Sequence, residues 1–393
     1  MSATVTQSTT QGTVLYVAFE LSCSEWKLAF ATAPAEAPRR RTIRAGDLAA
    51  LQQEIAKARE RFGLSDDAPV FSCYEAGRDG FWLHRYLTKH GVNNVVVDAA
   101  SIEVNRRARR AKSDGLDVGK LLQQLQRYHG GERKVWSVVH VPSVAEEDQR
   151  QLHRDLLEMK GERTQHSNRI KGLLATCGLT AKVDKHFAEV LPSLRTWDEQ
   201  PVPKELQRRL LREYERWQFV DRQIQDLENE RARRIRREET PANDQVRQLL
   251  QLRGIGDNSA WLFVMEFFVW RQIRNRKQLG ALAGLTPTPY QSGDSRREQG
   301  ISKSGNRRLR AMAVEIAWCW LMWQPDSELS QWYDRRFAGG NSRLRRIGIV
   351  ALARKLLVAL WRYLETGEIP AGAKQVDWRV KLGGRRKAEP SVN

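Results

Sequence analysis

The stretch VLYVAFELSCSEWKLAFA, residues Val14 to Ala31, decides how the amino-terminal third of the chain is read. Aromatic, aliphatic and small residues fill two short runs, Val14 to Phe19 and Trp26 to Ala31, with a polar turn between them. Runs of this length and composition predict strands. Working outward, Arg41 to Ile43 predicts a third strand, Leu48 to Phe62 an amphipathic helix and Val70 to Tyr74 a fourth strand. A helix over Phe81 to Lys89, an apolar strand over Asn94 to Val97 and a helix over Asp114 to Tyr128 follow. Three strands and then alternating helix and strand imply a mixed sheet covered on both faces.

From about Val144 the texture changes to long, charged helices. Leu152, Leu156, Met159, Ile170 and Leu174 fall near a three-four spacing, and so do Leu206, Leu210, Tyr214, Trp217, Val220, Ile224 and Leu227. Pro192, Pro201 and Pro203 interrupt the pattern between them, so an antiparallel helical hairpin is expected. Packing accounts for these stripes, and the basic end at Arg231 to Arg237 suits a solvated helix tip. Thr240, Pro241 and Asn243 mark the next boundary, after which a compact helical region runs from Gln245 to about Thr366. Within it, Arg253-Gly254-Ile255-Gly256 separates two helices, and amides of such a hairpin can sit against a phosphate. The last helix spans Leu344 to Leu364, and the tail from Lys374 to Asn393 reads as basic and disordered.

With 393 residues the chain has room for two or three domains. Lys and Arg number 66 against 47 Asp and Glu, a net +19 that self-repels unless a polyanion neutralises it, and nucleic acid is the default partner. The longest apolar run, Ala260 to Trp270, contains Glu266 and is far shorter than a membrane span. Met1 to Thr13 is polar, without a secretion signal, and a cytoplasmic protein is expected. Cys23, Cys73, Cys177 and Cys319 are scattered singly, which excludes a zinc or disulfide framework and predicts buried thiols.

Two groupings carry chemistry. In the first, Gln291-Ser292-Gly293 precedes Arg296, Arg297, Lys303, Arg307, Arg308 and Arg310, and no carboxylate lies between Glu298 and Glu315. A serine can attack phosphorus while guanidinium groups spread the charge that builds on the phosphoryl oxygens. The same run also suits a basic surface loop entering a nucleic-acid-binding helix, with Ser292 a turn residue. The second grouping is acidic. Glu20 ends the first strand, Glu75 ends the fourth, and Asp114 and Asp117 stand three apart on one helix face. Oxygen ligands gathered at a sheet edge suit Mg²⁺ or Mn²⁺, although Asp114 could cap its helix and Asp117 could answer the helix dipole.

Taken together these residues resemble the DEDD-type transposases of the insertion-sequence-110 family, the bridge-RNA-guided serine recombinases. The likeness lies in Ala18-Phe19-Glu20-Leu21-Ser22, Tyr74-Glu75-Ala76-Gly77 and Lys112-Ser113-Asp114-Gly115-Leu116-Asp117 at the amino end. At the carboxyl end it lies in Leu252 to Gly256, Leu279 to Pro287, Gln291 to Gly293, Ile301 to Arg310 and Ala351 to Leu357. The resemblance implies a RuvC-like domain of the RNase H class over residues 1–143 and a helical coiled-coil insertion over 144–239. It further implies an all-helical transposase domain over 240–368 and a basic tail over 369–393. It implies Glu20, Glu75, Asp114 and Asp117 as metal-binding catalytic residues with Mg²⁺ or Mn²⁺, and Ser292 as nucleophile. Donor and target DNA and a guide RNA are the implied partners, in a homo-oligomer, dimer or tetramer, where one subunit's acidic site completes another's serine site. Gly254 and Gly256 with Arg296, Arg297, Lys303, Arg307, Arg308 and Arg310 are the expected nucleic-acid contacts. One departure stands out: the family's first acidic position is usually aspartate and here it is Glu20, with Asp98 a candidate compensating ligand. The alternatives are a metal-dependent structure-specific nuclease of the RNase H class and a non-catalytic nucleic-acid-binding scaffold.

Overall fold

Five apolar runs at the amino end fold as strands, and the order in which they pair decides which residues share an edge. The computed structural model describes residues 14–34, 36–102, 114–292 and 295–383, and within them only the backbone of residues 100, 114–117, 289–292, 295–299 and 383. Lys112, Ser113 and Gly293 lie outside the described residues. The chain forms two compact units, residues 1–141 and 142–393.

In the first unit, β1 (Leu15–Leu21), β2 (Glu25–Ala31), β3 (Arg39–Arg44), β4 (Val70–Glu75) and β5 (Val92–Val97) form one sheet in the order β3-β2-β1-β4-β5. The first three strands are antiparallel neighbours, whereas β4 and β5 run parallel to β1. Alternation sends Leu15, Val17 and Phe19 to one face, where α1 (Leu48–Arg61) and α2 (Trp82–Lys89) bury Leu51, Ile55, Leu83 and Leu87. Asp47 starts α1 by accepting from the Ala50 amide at 2.8 Å. The opposite face carries small residues, Ala18, Ala29, Ala31 and Cys73, and this lets α3 (Asp114–His129) lie close against it. The third strand is longer than the expected Arg41 to Ile43, because Arg39 is buried and paired with Glu54 of α1. Its guanidinium also lies over the Phe30 ring.

The second unit begins with α4 (Val144–Asp148) and α5 (Gln151–Ala175). After the short α6 (Phe187–Val190), α7 (Lys204–Arg237) returns along α5. The pairs Lys160–Glu228, Arg163–Asp221 and His166–Glu213, at 2.8, 2.5 and 2.6 Å, show the two helices to be antiparallel, as the leucine stripes predict. Next come α8 (Pro241–Leu250), capped by the Thr240 hydroxyl, α9 (Asp257–Phe263) with a π turn at Val264–Phe268, and α10 (Arg276–Leu282). Two strands follow, β6 (Pro287–Ser292) and β7 (Ser295–Ile301), and then α11 (Arg307–Trp323), α12 (Glu328–Tyr333), α13 (Ser342–Thr366) and α14 (Trp378–Gly383).

Three expectations are corrected here. The carboxyl-terminal region is not all helical, since β6 and β7 pair as an antiparallel hairpin. The tail is folded as far as Gly383: Gln375 bridges Leu252, and Lys381 donates to the carbonyls of Leu250, Leu252 and Ile255 at 2.5, 2.7 and 2.8 Å. Of the cysteines only Cys73 is buried, and Cys23 is exposed. Among the described residues no helix is long and apolar enough to cross a membrane.

Candidate functional site

Strand register brings two of the four predicted carboxylates side by side. Phe19 of β1 pairs with Tyr74 of β4, so Glu20 and Glu75 are the next residues along two parallel neighbours. Both follow small residues of the α3 face, Ala18 and Cys73, by two positions and therefore belong to that face. Glu20 is half-buried and Glu75 exposed.

Two contacts fix the direction of α3. The Cys73 thiol donates to the Leu121 carbonyl at 3.8 Å, and the Tyr16 hydroxyl meets His129 Nδ1 at 2.7 Å. The helix thus runs against β1 and β4, with its first turns toward the carboxyl ends of those strands. Asp117 lies ~6 Å along the helix from Leu121, and Glu75 lies ~7 Å along the strand from Cys73, so the two are nearly level. Val118, Leu121, Leu122 and Leu125 are the packed stripe of α3, and positions 114 and 117 prolong that stripe by one turn beyond it. The four acidic positions therefore converge on one edge of one unit. Among the described residues no group of three or more His, Cys, Asp or Glu forms a metal-binding cluster, and the side chains of Asp114 and Asp117 are not among them. Asp98 follows β5 and turns the chain: its carbonyl accepts from the Ser101 amide and hydroxyl at 2.9 and 2.7 Å.

Ser292 belongs to the other unit. It is the last residue of β6 and pairs with Ser295, with Gln291 opposite Arg296 and Tyr290 opposite Arg297. It therefore stands at the end of a hairpin arm and not in a loop entering a helix. The base of that arm is tied down by Ser302 N–H to the Thr286 carbonyl at 2.9 Å and Lys303 N–H to the Gly284 carbonyl at 3.2 Å.

The other expected nucleic-acid contacts divide in two. Lys303 and Arg307 are exposed, at the foot of the hairpin and the start of α11. Arg310 instead braces the fold, donating to the carbonyls of Ser304 and Ala283 at 3.1 and 3.3 Å. Arg308 leans toward buried Glu266 at 3.8 Å. Gly254 and Gly256 form the expected turn, but this chain takes up much of its hydrogen bonding. Arg253 N–H meets the Lys374 carbonyl at 3.1 Å, Gln324 donates to the Arg253 carbonyl at 2.9 Å, and Ser259 caps Gly256.

One feature escaped the sequence reading. A groove of about 2180 Å³ runs along α13, which lines it with Arg343, Arg346, Arg354, Lys355 and Arg362. Arg276, Lys277, Lys303 and Arg335 add further positive charge, and among the described residues only Glu328 and Glu368 oppose it. Pro287, Gly300 and Ile301, at the foot of the Ser292 hairpin, line the same groove. The arginines of α13 in the groove, Arg343, Arg346, Arg354 and Arg362, are spaced by three, eight and eight residues, a signal that its alanine-rich amphipathic pattern hides.

Residues 246–334, which hold the glycine turn, the hairpin and the whole of α11 and α12, match the family described as Transposase IS116/IS110/IS902 family. A protein of Sinorhizobium fredii (strain NBRC 101917 / NGR234) named as a transposase, y4rJ, is 38% identical over 377 residues, covering 91% of this chain and 94% of its own length. The transposase for insertion sequence element IS1328 of Yersinia enterocolitica is 25% identical over 220 residues, 56% of this chain and 63% of that protein. The transposase for insertion sequence element IS1111A of Coxiella burnetii is 28% identical over 211 residues, 52% of this chain and 55% of that protein. With a relative this similar along nearly the whole of both chains, and the matched segment centred on the hairpin, the chain belongs to the IS116/IS110/IS902 family of transposases.

Proposed function

We propose that the protein is an RNA-guided DNA transposase that cuts and rejoins strands through a serine ester. Ser292 Oγ attacks a DNA phosphorus, forming a P–Oγ bond as the P–O3′ bond breaks. The serine proton passes to a base and the departing 3′ oxygen takes one up. The reverse reaction, with the 3′ hydroxyl of the exchanged strand, frees the serine. Bond energy is conserved, so no nucleotide cofactor is consumed.

The single observation that carries this reading is the shared edge of Glu20, Glu75 and the Asp114–Asp117 face, in a chain whose other unit presents a serine at the end of a basic hairpin. Hard carboxylate oxygens at one edge fit Mg²⁺ or Mn²⁺, and these residues would hold the ion. Such an ion, when bound, supplies positive charge against the phosphoryl oxygens. The chain's own part is to orient the scissile phosphate and to surround it with guanidinium groups from Arg296, Arg297 and Arg307. A two-stranded hairpin is marginally stable alone in water, and no other described element makes an extended contact with β6 or β7. This favours a homo-oligomer in which the arm is seated against nucleic acid or another subunit. Diffuse positive charge grips backbones, and base pairing with a guide RNA supplies the sequence reading that phosphate contacts lack.

The test is strand exchange between DNA carrying the element's two junctions, with and without RNA transcribed from the flanking non-coding DNA. Exchange that needs the RNA, and that disappears in Ser292→Ala and in Asp117→Asn, is the expected result. Undiminished exchange by Ser292→Ala, or exchange indifferent to RNA, contradicts the reading.

A further inference from the structure

The basic groove of the second unit is apolar as well as charged. From Arg343 to Arg362 the groove follows α13 for ~28 Å. Nine Lys or Arg side chains against two Glu leave a surplus of seven positive charges along it. A strand spaced at ~3.4 Å per phosphate places roughly eight charges over the same length.

The ground between the cations is apolar. Ile347, Val350 and Val358 come from α13, and Leu329 and Ile369 line the groove from outside that helix. Ile347 and Ile369 are 48% and 43% exposed, which wastes apolar surface in water and suits the sugars and base faces of an unpaired strand. The foot of the Ser292 hairpin lines the channel, which makes it continuous with the candidate chemistry.

We propose that this groove holds a single strand of DNA, the 3′-ended strand that cleavage at Ser292 sets free, and keeps it in place until it is rejoined. The proposal rests on the serine reading for the origin of the strand but not for the binding itself. Cations along the rim take the phosphates, and the apolar ground takes the exposed bases. A strand so held cannot diffuse away between the two ester exchanges, so religation outruns loss.

The experiment uses the full-length Ser292→Ala chain, which binds without reacting. Fluorescence anisotropy compares a labelled 20-nucleotide DNA strand, its duplex, the same sequence in RNA, and a poly-glutamate peptide. Arg346→Glu with Lys355→Glu and Arg362→Glu changes three exposed side chains and is expected to weaken the DNA strand about tenfold and to lower its salt dependence, with the duplex much less affected. Ile347→Ser with Ile369→Ser, which alters no charge, is expected to weaken the strand several-fold at unchanged salt slope. Circular dichroism and Tm establish that each variant is folded. Equal losses for strand and duplex, a loss confined to RNA, or tighter binding of the peptide than of DNA would each overturn the proposal. Groove-dependent binding with no adduct in the wild-type protein would sink the serine reading alone. An adduct with groove-independent binding would sink the groove alone.

Discussion

Arg154 holds Glu266 through two nitrogens, Nε to Oε1 at 2.6 Å and Nη2 to Oε2 at 3.0 Å, and so ties the start of α5 to the π turn that follows α9. Glu266 is 2% exposed. Burial alone would raise its pKa, but the Arg154 hydrogen bonds and the charges of Arg154, Arg150 and Arg308 outweigh burial and hold the carboxyl below its usual range. The buried carboxylate is therefore stabilising while ionised.

Glu266→Gln leaves Arg154 facing an uncharged amide in a buried site and is expected to cost about 3 kcal/mol, read by urea unfolding. The sign of the pH dependence follows from the lowered pKa. The contribution is fully present above the unfolded carboxylate value of ~4.3 and is lost as pH falls through the folded value. The wild type should thus lose more stability than Glu266→Gln when the pH is taken from 5 to 3.

Lys381 reaches from α14 to three carbonyls around the glycine turn, and burial pulls its ammonium down to about 8. Lys381→Met removes those hydrogen bonds and should cost about 2 to 3 kcal/mol. Because the folded pKa lies below the unfolded ~10.4, the unfolded chain binds the extra proton between pH 8 and that value, and stability attributable to this group rises with pH across the window. Chemical unfolding at pH 7.5 and 9.5 checks this: Lys381→Met should show a flatter change than the wild type.

Gly284 and Gly305 interlock beneath the Ser292 hairpin. Gly284 has φ +66° and a Cβ there would lie 1.9 Å from the Ser304 carbonyl oxygen; Gly305 has φ +79° and a Cβ there would lie 2.1 Å from that of Leu282. Backbone and backbone meet, so nothing can give way. Gly284→Ala is expected to destabilise by about 3 kcal/mol or more, seen as a fall in Tm.

This pair shows what the sequence could and could not convey. The segments Leu279 to Pro287 and Ile301 to Arg310 are part of the family resemblance, yet only the fold reveals that their glycines pack against each other's backbones. The sheet was legible because β1, β2, β4 and β5 are apolar runs, and the α5–α7 hairpin was legible because Leu156, Ile170, Tyr214 and Ile224 keep helical spacing. The β6–β7 hairpin was not, since Thr288, Gln291, Ser292, Arg296, Arg297 and Glu298 offer no apolar alternation. Lys381 was lost inside a basic tail for a related reason: its partners are backbone carbonyls, to which side-chain patterns are blind. The acidic edge was half legible. Strand ends place Glu20 and Glu75, but the direction of α3, which brings Asp114 and Asp117 to them, depends on contacts such as Cys73 with Leu121.

The edge carries its own prediction. If Glu20 is a metal ligand at this edge, Glu20→Asp should keep Mg²⁺-dependent strand exchange, with at most a shift in the metal concentration needed. Glu75→Gln and Asp117→Asn should each lower exchange by about a hundredfold or more. A titration of exchange rate against Mg²⁺ and Mn²⁺ reads both, and full activity in Glu75→Gln would remove that residue from the site.

The most direct measurement is to quench the protein on DNA carrying a nicked, suicide-type junction, digest both polymers, and locate the phosphoryl adduct by peptide mass spectrometry. A nucleotide mass on the peptide that contains Ser292, absent from Ser292→Ala and from reactions without divalent metal, is the predicted result. Cleaved DNA with free ends and no adduct, produced as well by Ser292→Ala as by the wild type, would contradict the account.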